Sequence, residues 1–192
     1  MPRYLRPRIA GASCFFTVVS YRRRPICCTP LFRQALRNAI QHVRAEHPFT
    51  INAWVLLPDH LHCLWTLPAD DSDYSLRWNL IKRLTTQACA GHFDLTETQS
   101  LSRTRRREST IWQRRFWEHQ IRDEADLHRH MDYLHMNPVK HGYCTQASAW
   151  PYSSLHRLIA EGLYPADWAI AAADTCPDIS EPDGSKTSRY GA

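Results

Sequence analysis

The sequence predicts an α+β domain built on one four-stranded antiparallel sheet, and three observations lead there. Short β-branched and aromatic runs alternate with helical-period runs, in the order strand, helix, strand, strand, helix, strand, helix. Only Pro58-Asp59, a tight-turn signal, separates the two central strands, so they should pair as a hairpin. The first six elements make a split β-α-β arrangement of the ferredoxin-like kind. Two helices would then cover one face of the sheet and leave the other free. The additional C-terminal helix must pack over or beside that free face.

Cys14 to Tyr21 is rich in Phe, Val and Thr and reads as the first strand, ended by Arg22-Arg23-Arg24-Pro25. Pro30 opens a helix near Leu31. Its apolar stripe is Leu31, Ala35, Leu36, Ala39, Ile40 and Val43, and His47-Pro48 closes it. Thr50 to Leu57 and His60 to Leu67 are the hairpin strands. Asp70 to Asp73 offers N-caps for a helix from about Tyr74 to Ala90, with Leu76, Leu80, Ile81, Leu84 and Ala88 expected inside. Residues from about 91 to 115 lack strong periodicity and read as an extended basic loop. Phe116 to Ile121 is the fourth strand. A helix starts at Asp123 or Glu124, and Asn137-Pro138 is expected to end it at about Met136. The aromatic segment Ala149 to Ser154 should pack on the domain, and Leu155 to Glu161 add a short helix. Residues 1–170 thus form one domain, and the Pro-, Gly-, Ser- and charge-rich 171–192 segment is expected to be a disordered tail.

Composition narrows the function classes. Of 24 basic residues, 21 are Arg, and nine of these precede Glu46, the first acidic side chain. A guanidinium offers a rigid fork of donors suited to phosphate oxygens. The seven cysteines include no Cys-x-x-Cys pair, which argues against a disulfide framework and a structural zinc site. No run approaches the roughly 18 apolar residues of a membrane span.

The chemistry concentrates in two places. In Pro58-Asp59-His60-Leu61-His62 the period of two puts His60 and His62 on one face of a strand. Two adjacent neutral imidazoles make half of a divalent metal site. Leu61, Cys63 and Trp65 would face the helices. In the last long helix, His130, Tyr133 and Asn137 lie at spacings of three and four and share a face. Leu127, Met131 and Leu134 form the neighbouring apolar stripe, which puts Tyr133 beside the core rather than in it. The Asn137 amide could serve as a third metal ligand or as a helix cap. His130 and His135 are candidates for a proton role.

Three ordered segments carry a resemblance: Pro58-Asp59-His60-Leu61-His62, Trp112-Gln113-Arg114-Arg115-Phe116-Trp117-Glu118, and Tyr133-Leu134-His135-Met136-Asn137-Pro138-Val139-Lys140. Trp150-Pro151-Tyr152-Ser153-Ser154 adds a fourth. Over roughly residues 10 to 170 the chain resembles the Y1-type HUH transposases of the IS200/IS605 class, and within them the REP-associated tyrosine transposases. The resemblance implies that His60 and His62 are metal ligands, Tyr133 is the nucleophile, and Asn137 is the third ligand to Mg²⁺ or Mn²⁺. Glu118 matches a retained acid near the site. The implied substrate is single-stranded DNA beside an imperfect hairpin, with a short tetranucleotide 5′ of it. The implied products are a 5′-phosphotyrosine and a free 3′-OH.

Arg22, Arg23, Arg24, Arg103, Arg105, Arg106, Arg107, Arg114, Arg115 and Lys140 are the expected phosphate contacts. Trp54, Trp78 and Trp112 are candidates for base stacking. The expected setting is the bacterial cytosol beside the nucleoid, with no membrane, as a monomer in preference to a helix-exchanged homodimer. Two competing readings are a catalytically inactive hairpin-DNA-binding protein and an RNA-binding ferredoxin-like domain, which would need exposed paired aromatics on the sheet.

Overall fold

Strands β1 (Ser13–Val19), β2 (Thr50–Leu56), β3 (His60–Thr66) and β4 (Trp117–Gln120) form one sheet in the order β2-β3-β1-β4, every neighbour antiparallel. This is the strand order of a split β-α-β fold. The computed structural model describes residues 9–93, 111–168 and 179. The expected basic cluster at Arg103, Arg105, Arg106 and Arg107 lies outside the described residues, as does all of the 171–192 segment except Ile179. No helix among the described residues is long and apolar enough to cross a membrane.

Helices α1 (Pro30–Glu46) and α2 (Tyr74–Ala88) pack together and cover one face of the sheet. Thr29 caps α1 by accepting from the Phe32 N–H, and Asp73 caps α2 by accepting from Leu76 N–H. Phe16, Leu61, Cys63 and Trp65 fill the space beneath them, as the alternation of β3 predicts. The buried side of α2 is only partly the expected one: Ile81 is buried, and Leu80 and Leu84 are half-buried against the core. Tyr74, Trp78, Ile81 and Thr85 face the core, while Leu76 is 39% exposed and Ala88 is exposed. The large indole decides the rotation, because Trp78 stacks on Trp65 at 4.3 Å. Trp78 and Trp112 are therefore core residues, 0% and 1% exposed, and are not placed to stack on bases. Trp54 is half-buried.

Helix α3 (Glu124–Lys140) lies across the other face. Asp123 caps it, accepting from the Asp126 N–H at 2.7 Å. The sequence predicts a stop at Asn137-Pro138, yet the helix runs through Pro138 to Lys140. Proline removes one N–H and crowds the preceding turn, but the ladder resumes: His141 N–H bonds Asn137 O, and Gly142 N–H bonds Val139 O. Beyond it, residues 152–154 run along the outer edge of β2. Leu56 N–H donates to Tyr152 O at 2.9 Å and Ser154 N–H to Trp54 O at 2.8 Å. The edge strand is thereby covered. The short helix α4 (Leu155–Ala160) follows and packs with Met136 and Tyr164 behind α3.

Candidate active site

Register fixes which side chains meet on the face beneath α3. Val19 pairs with His60, Thr17 with His62, and Phe15 with both Leu64 and His119. The two histidines are buried, and their rings sit edge to face at 4.8 Å. Each has its Nδ1 held by an oxygen. His60 Nδ1 donates to Asp59 Oδ1 at 2.6 Å, since an ionised carboxylate only accepts. His62 Nδ1 meets the Thr17 hydroxyl at 2.9 Å. An imidazole clamped at Nδ1 is the usual support for a histidine that binds a metal through Nε2.

Asp59 is itself fixed by Arg23, at 2.9 Å. Burial alone would raise its carboxyl, but hydrogen bonds and charge from His60 and Arg23 bring it down to about 2. Arg22 and Arg23 have φ of 55° and 51°, a left-handed turn that non-glycine residues adopt at a cost. That turn brings the Arg23 guanidinium to Asp59. Arg22 instead lies over Tyr21. His62 is held well below the ordinary histidine value, first by burial and then by the charge of His60. It therefore stays neutral, as a metal ligand must.

Helix α3 brings three further groups to the pair. The Tyr133 ring lies 5.5 Å from the His62 ring and 6.1 Å from Phe15. It is only 6% exposed and belongs to the core cluster with Phe15, Val55, Leu64 and Leu134, so it is in the core rather than beside it. Asn137 is fully buried next to His62, which its amide favours in the protonated form. Neither amide atom of Asn137 reaches strict hydrogen-bond geometry with a described residue. A buried amide with unmet capacity costs free energy unless something completes it. An oxygen donor and two Nδ1-clamped imidazoles fit a divalent cation of the Mg²⁺ or Mn²⁺ type. Lys140 Nζ lies 5.2 Å from the Tyr133 ring centroid.

His141, which the sequence reading passed over, closes the group, its ring 5.3 Å from that of His60. It lies four residues beyond Asn137, so the helical spacing pointed to it once the helix was allowed past Pro138.

Three expected supporting residues stand elsewhere. Glu118 pairs with Phe16, whose side chain faces α1 and α2, so Glu118 is on the opposite side of the sheet from the histidines. There its charge acts on Cys14, whose thiol is pushed up to about 12 by burial first and Glu118 second. His135 points to the far side of α3, where its Nδ1 meets Ser153 Oγ at 3.1 Å and its ring meets Tyr164. His130 does lie under the sheet, but its Nδ1 donates to Asp126 O and its ring stacks on His119 at 4.4 Å.

His119, Asp126 and His130 have ligand atoms within 4.8 Å of one another, the spacing of a metal cluster. The buried Asp126 carboxylate, however, already pairs with Arg122 and Arg129 as well as His119. Burial would raise its carboxyl, and these partners bring it far below the usual range. Two guanidiniums on one carboxylate repel a further cation, so this cluster ties β4 to the start of α3.

Known proteins share this arrangement over nearly the whole chain. A REP-associated tyrosine transposase of Escherichia coli (strain K12) is 47% identical over 174 residues, 91% of this chain and 94% of its own length. A protein of Haemophilus influenzae (strain ATCC 51907 / DSM 11121 / KW20 / Rd), described as a putative REP-associated tyrosine transposase, is 40% identical over 170 residues, 88% of this chain and 93% of its own length. A solved structure of a REP-associated tyrosine transposase bound to a REP hairpin superposes with a TM-score of 0.77 at 45% identity, covering 94% of this chain and 96% of that one. No family model matches the chain. The fold is that of an α+β tyrosine transposase. The chain belongs to the REP-associated tyrosine transposases.

Proposed function

We propose that this transposase cuts and rejoins single-stranded DNA beside a palindromic hairpin, with Tyr133 as nucleophile and His60, His62 and Asn137 as ligands to Mg²⁺ or Mn²⁺. The observation that carries the reading is the 5.5 Å approach of the Tyr133 ring to the His62 ring, made within one chain. A bound divalent cation supplies a Lewis acid for the scissile phosphate. Tyr133 Oη attacks phosphorus, the P–O3′ bond breaks, and the phenolic proton ends on the departing 3′ oxygen. The new 5′-phosphotyrosine retains the energy of the phosphodiester, so a second 3′-OH can reverse the step and join a different strand.

The chain's own residues prepare that attack. Asp59 and Thr17 hold the imidazoles in one orientation. Lys140 puts positive charge 5.2 Å from the centroid of the Tyr133 ring, where it would meet the phosphate under attack. Packing against Phe15 fixes the Tyr133 ring and limits its rotation. Arg23 and Lys140 stand beside the site, where they would meet strand phosphates, and Arg24, Arg114 and Arg115 are further candidates, the last two exposed. Because α3 folds back on its own sheet, the reading is of a monomer that completes its site in cis. It would work in the bacterial cytosol, where its DNA lies.

The test uses a labelled DNA strand with an imperfect hairpin and a tetranucleotide 5′ of it. With Mg²⁺ or Mn²⁺ the protein should yield a denaturant-stable protein–DNA adduct on a gel, and chelation with EDTA should abolish it. Cleavage that proceeds unchanged in EDTA would falsify the metal role. Thr17→Val removes the hydroxyl that holds His62. It should raise the metal concentration for half-maximal cleavage by about 10- to 100-fold, the usual cost of losing such a partner. A metal titration of the two proteins measures it.

A further inference from the structure

Starting at His60, a run of rings leads out of the site onto the surface. The His60 ring meets His141 at 5.3 Å. His141 stacks on Tyr143 at 5.9 Å and 27°, and Tyr143 stacks on Trp150 at 5.5 Å and 28°. Trp150 meets Tyr152 edge-on at 5.6 Å, and the Arg33 guanidinium lies over Tyr152 at 4.5 Å. Its inner rings, His60 and His141, belong to the site described above, and Trp150 and Tyr152 are half-buried against the core, but Tyr143 between them serves neither. Tyr143 is 43% exposed, and among the described residues it is the one aromatic in the exposed class.

The ladder is built rather than incidental. Its inner end is anchored by the α3 terminus, where His141 N–H bonds Asn137 O. Its outer end is anchored because Trp150 Nε1 donates to Leu56 O at 2.9 Å and Leu56 N–H donates to Tyr152 O. Rings held at both ends lose little entropy when something stacks on them. Cations stand at both ends, Lys140 and the Asp59-paired Arg23 at the inner end and Arg33 at the outer. Aromatic faces with cations alongside are what a single nucleic-acid strand requires: π-faces for bases and positive charge for phosphates.

Resting on the proposed function above, we infer that the His141–Tyr143–Trp150 ladder is the binding track for the unpaired nucleotides that flank the cleaved phosphate. The strand leaves the catalytic pocket past His141 and lays a base against the exposed part of the Tyr143 ring. The hairpin stem is held elsewhere. The ladder thus sets how the enzyme senses bases beside the hairpin, apart from the hairpin itself.

Tyr143→Ala is the direct test, since an exposed ring can be removed without disturbing the core, and Tyr143→Phe keeps the π-face. Three probes are titrated by fluorescence anisotropy with EDTA present, so that no cleavage occurs: a hairpin with an unpaired tetranucleotide, the same hairpin with an abasic flank, and a blunt hairpin. Wild-type protein should bind the base-bearing flank more tightly than the abasic one. Tyr143→Ala should lose about ten-fold affinity for the base-bearing probe, the size of one base–aromatic stack, and bind the blunt hairpin as before. Tyr143→Phe should behave as wild type. If wild type binds every hairpin but does not distinguish base-bearing from abasic flanks, or if Tyr143→Ala distinguishes them as well as wild type, the track is wrong and the hairpin reading stands. If wild type binds none of the probes, the hairpin reading itself fails, and the track with it.

Discussion

Tyr133→Phe is expected to eliminate the covalent protein–DNA product and to slow strand cleavage by on the order of a thousand-fold or more, as loss of a covalent nucleophile does. The substitution is well chosen because the ring does two jobs. It packs with Phe15, Leu64 and Leu134 in a buried cluster, and it lies 5.5 Å from the ring of His62. Phenylalanine keeps the packing and deletes the hydroxyl, so stability should change by only about 1 kcal/mol. A thermal melt near the wild-type midpoint, together with retained hairpin binding, would show that the variant is folded. Metal-dependent cleavage at the wild-type rate in that folded variant would remove Tyr133 from the chemistry. The neighbouring hydroxyls in reach of the pair would then be the place to look, beginning with Thr17.

Much of this site was readable before any coordinates. The period of two in β3 put His60 and His62 on one face, and the pairing of β1 with β3 then set Thr17 directly opposite His62. The spacing of His130, Tyr133 and Asn137 put the three on one face of the helix, and all are buried, Tyr133 in the core where it was expected beside it. The failures share a cause, since each depended on tertiary contacts that override a local rule. Pro138 is ordinarily a stop, and reading it so hid His141 and the last turn that carries Lys140. The turn survives because the residues before Pro138 are buried against the sheet and α4, which outweighs one lost hydrogen bond.

Glu118 was expected near the site from the resemblance alone, and β4, with only four residues, WEHQ, has no hydrophobic alternation to set its side. Only its pairing with Phe16 settles that. In α2 the expected stripe of Leu76, Leu80, Ile81, Leu84 and Ala88 is shifted by the Trp78–Trp65 stack, which leaves Leu76 and Ala88 exposed. His135 carried a misleading cue as well. Two residues from Tyr133 is about 200° around a helix, so its proximity in sequence is separation in space.

That separation gives His135 a different consequence, in stability. Acidification from pH 7 to pH 4.5 is expected to destabilise the protein, with His135 alone contributing about 2.7 kcal/mol of the loss. The ring is fully buried behind α3, and burial first, then the charges of Arg157 and His156, lower it from 6.5 to about 3. The folded chain therefore holds it neutral while the unfolded chain binds a proton below about 6.5. Stability is complete above that value and falls by about 1.4 kcal/mol per pH unit down to about 3. His62, His130 and His141 are lowered as well and steepen the fall in the same direction. Asp59, with its carboxyl at about 2, adds its own loss only below its ordinary value of 3.8, so it does not blur the window above pH 4.5.

His135→Leu isolates the effect. It removes a titrating ring whose Nε2 has no hydrogen-bond partner among the described residues, and it leaves an apolar side chain beside Tyr164 and Trp168. Urea unfolding at pH 7 and pH 4.5 should show the variant losing about 2.7 kcal/mol less than wild type over that interval. Equal losses in the two proteins would mean that His135 takes up its proton at the same pH folded and unfolded, and so that its pocket admits water.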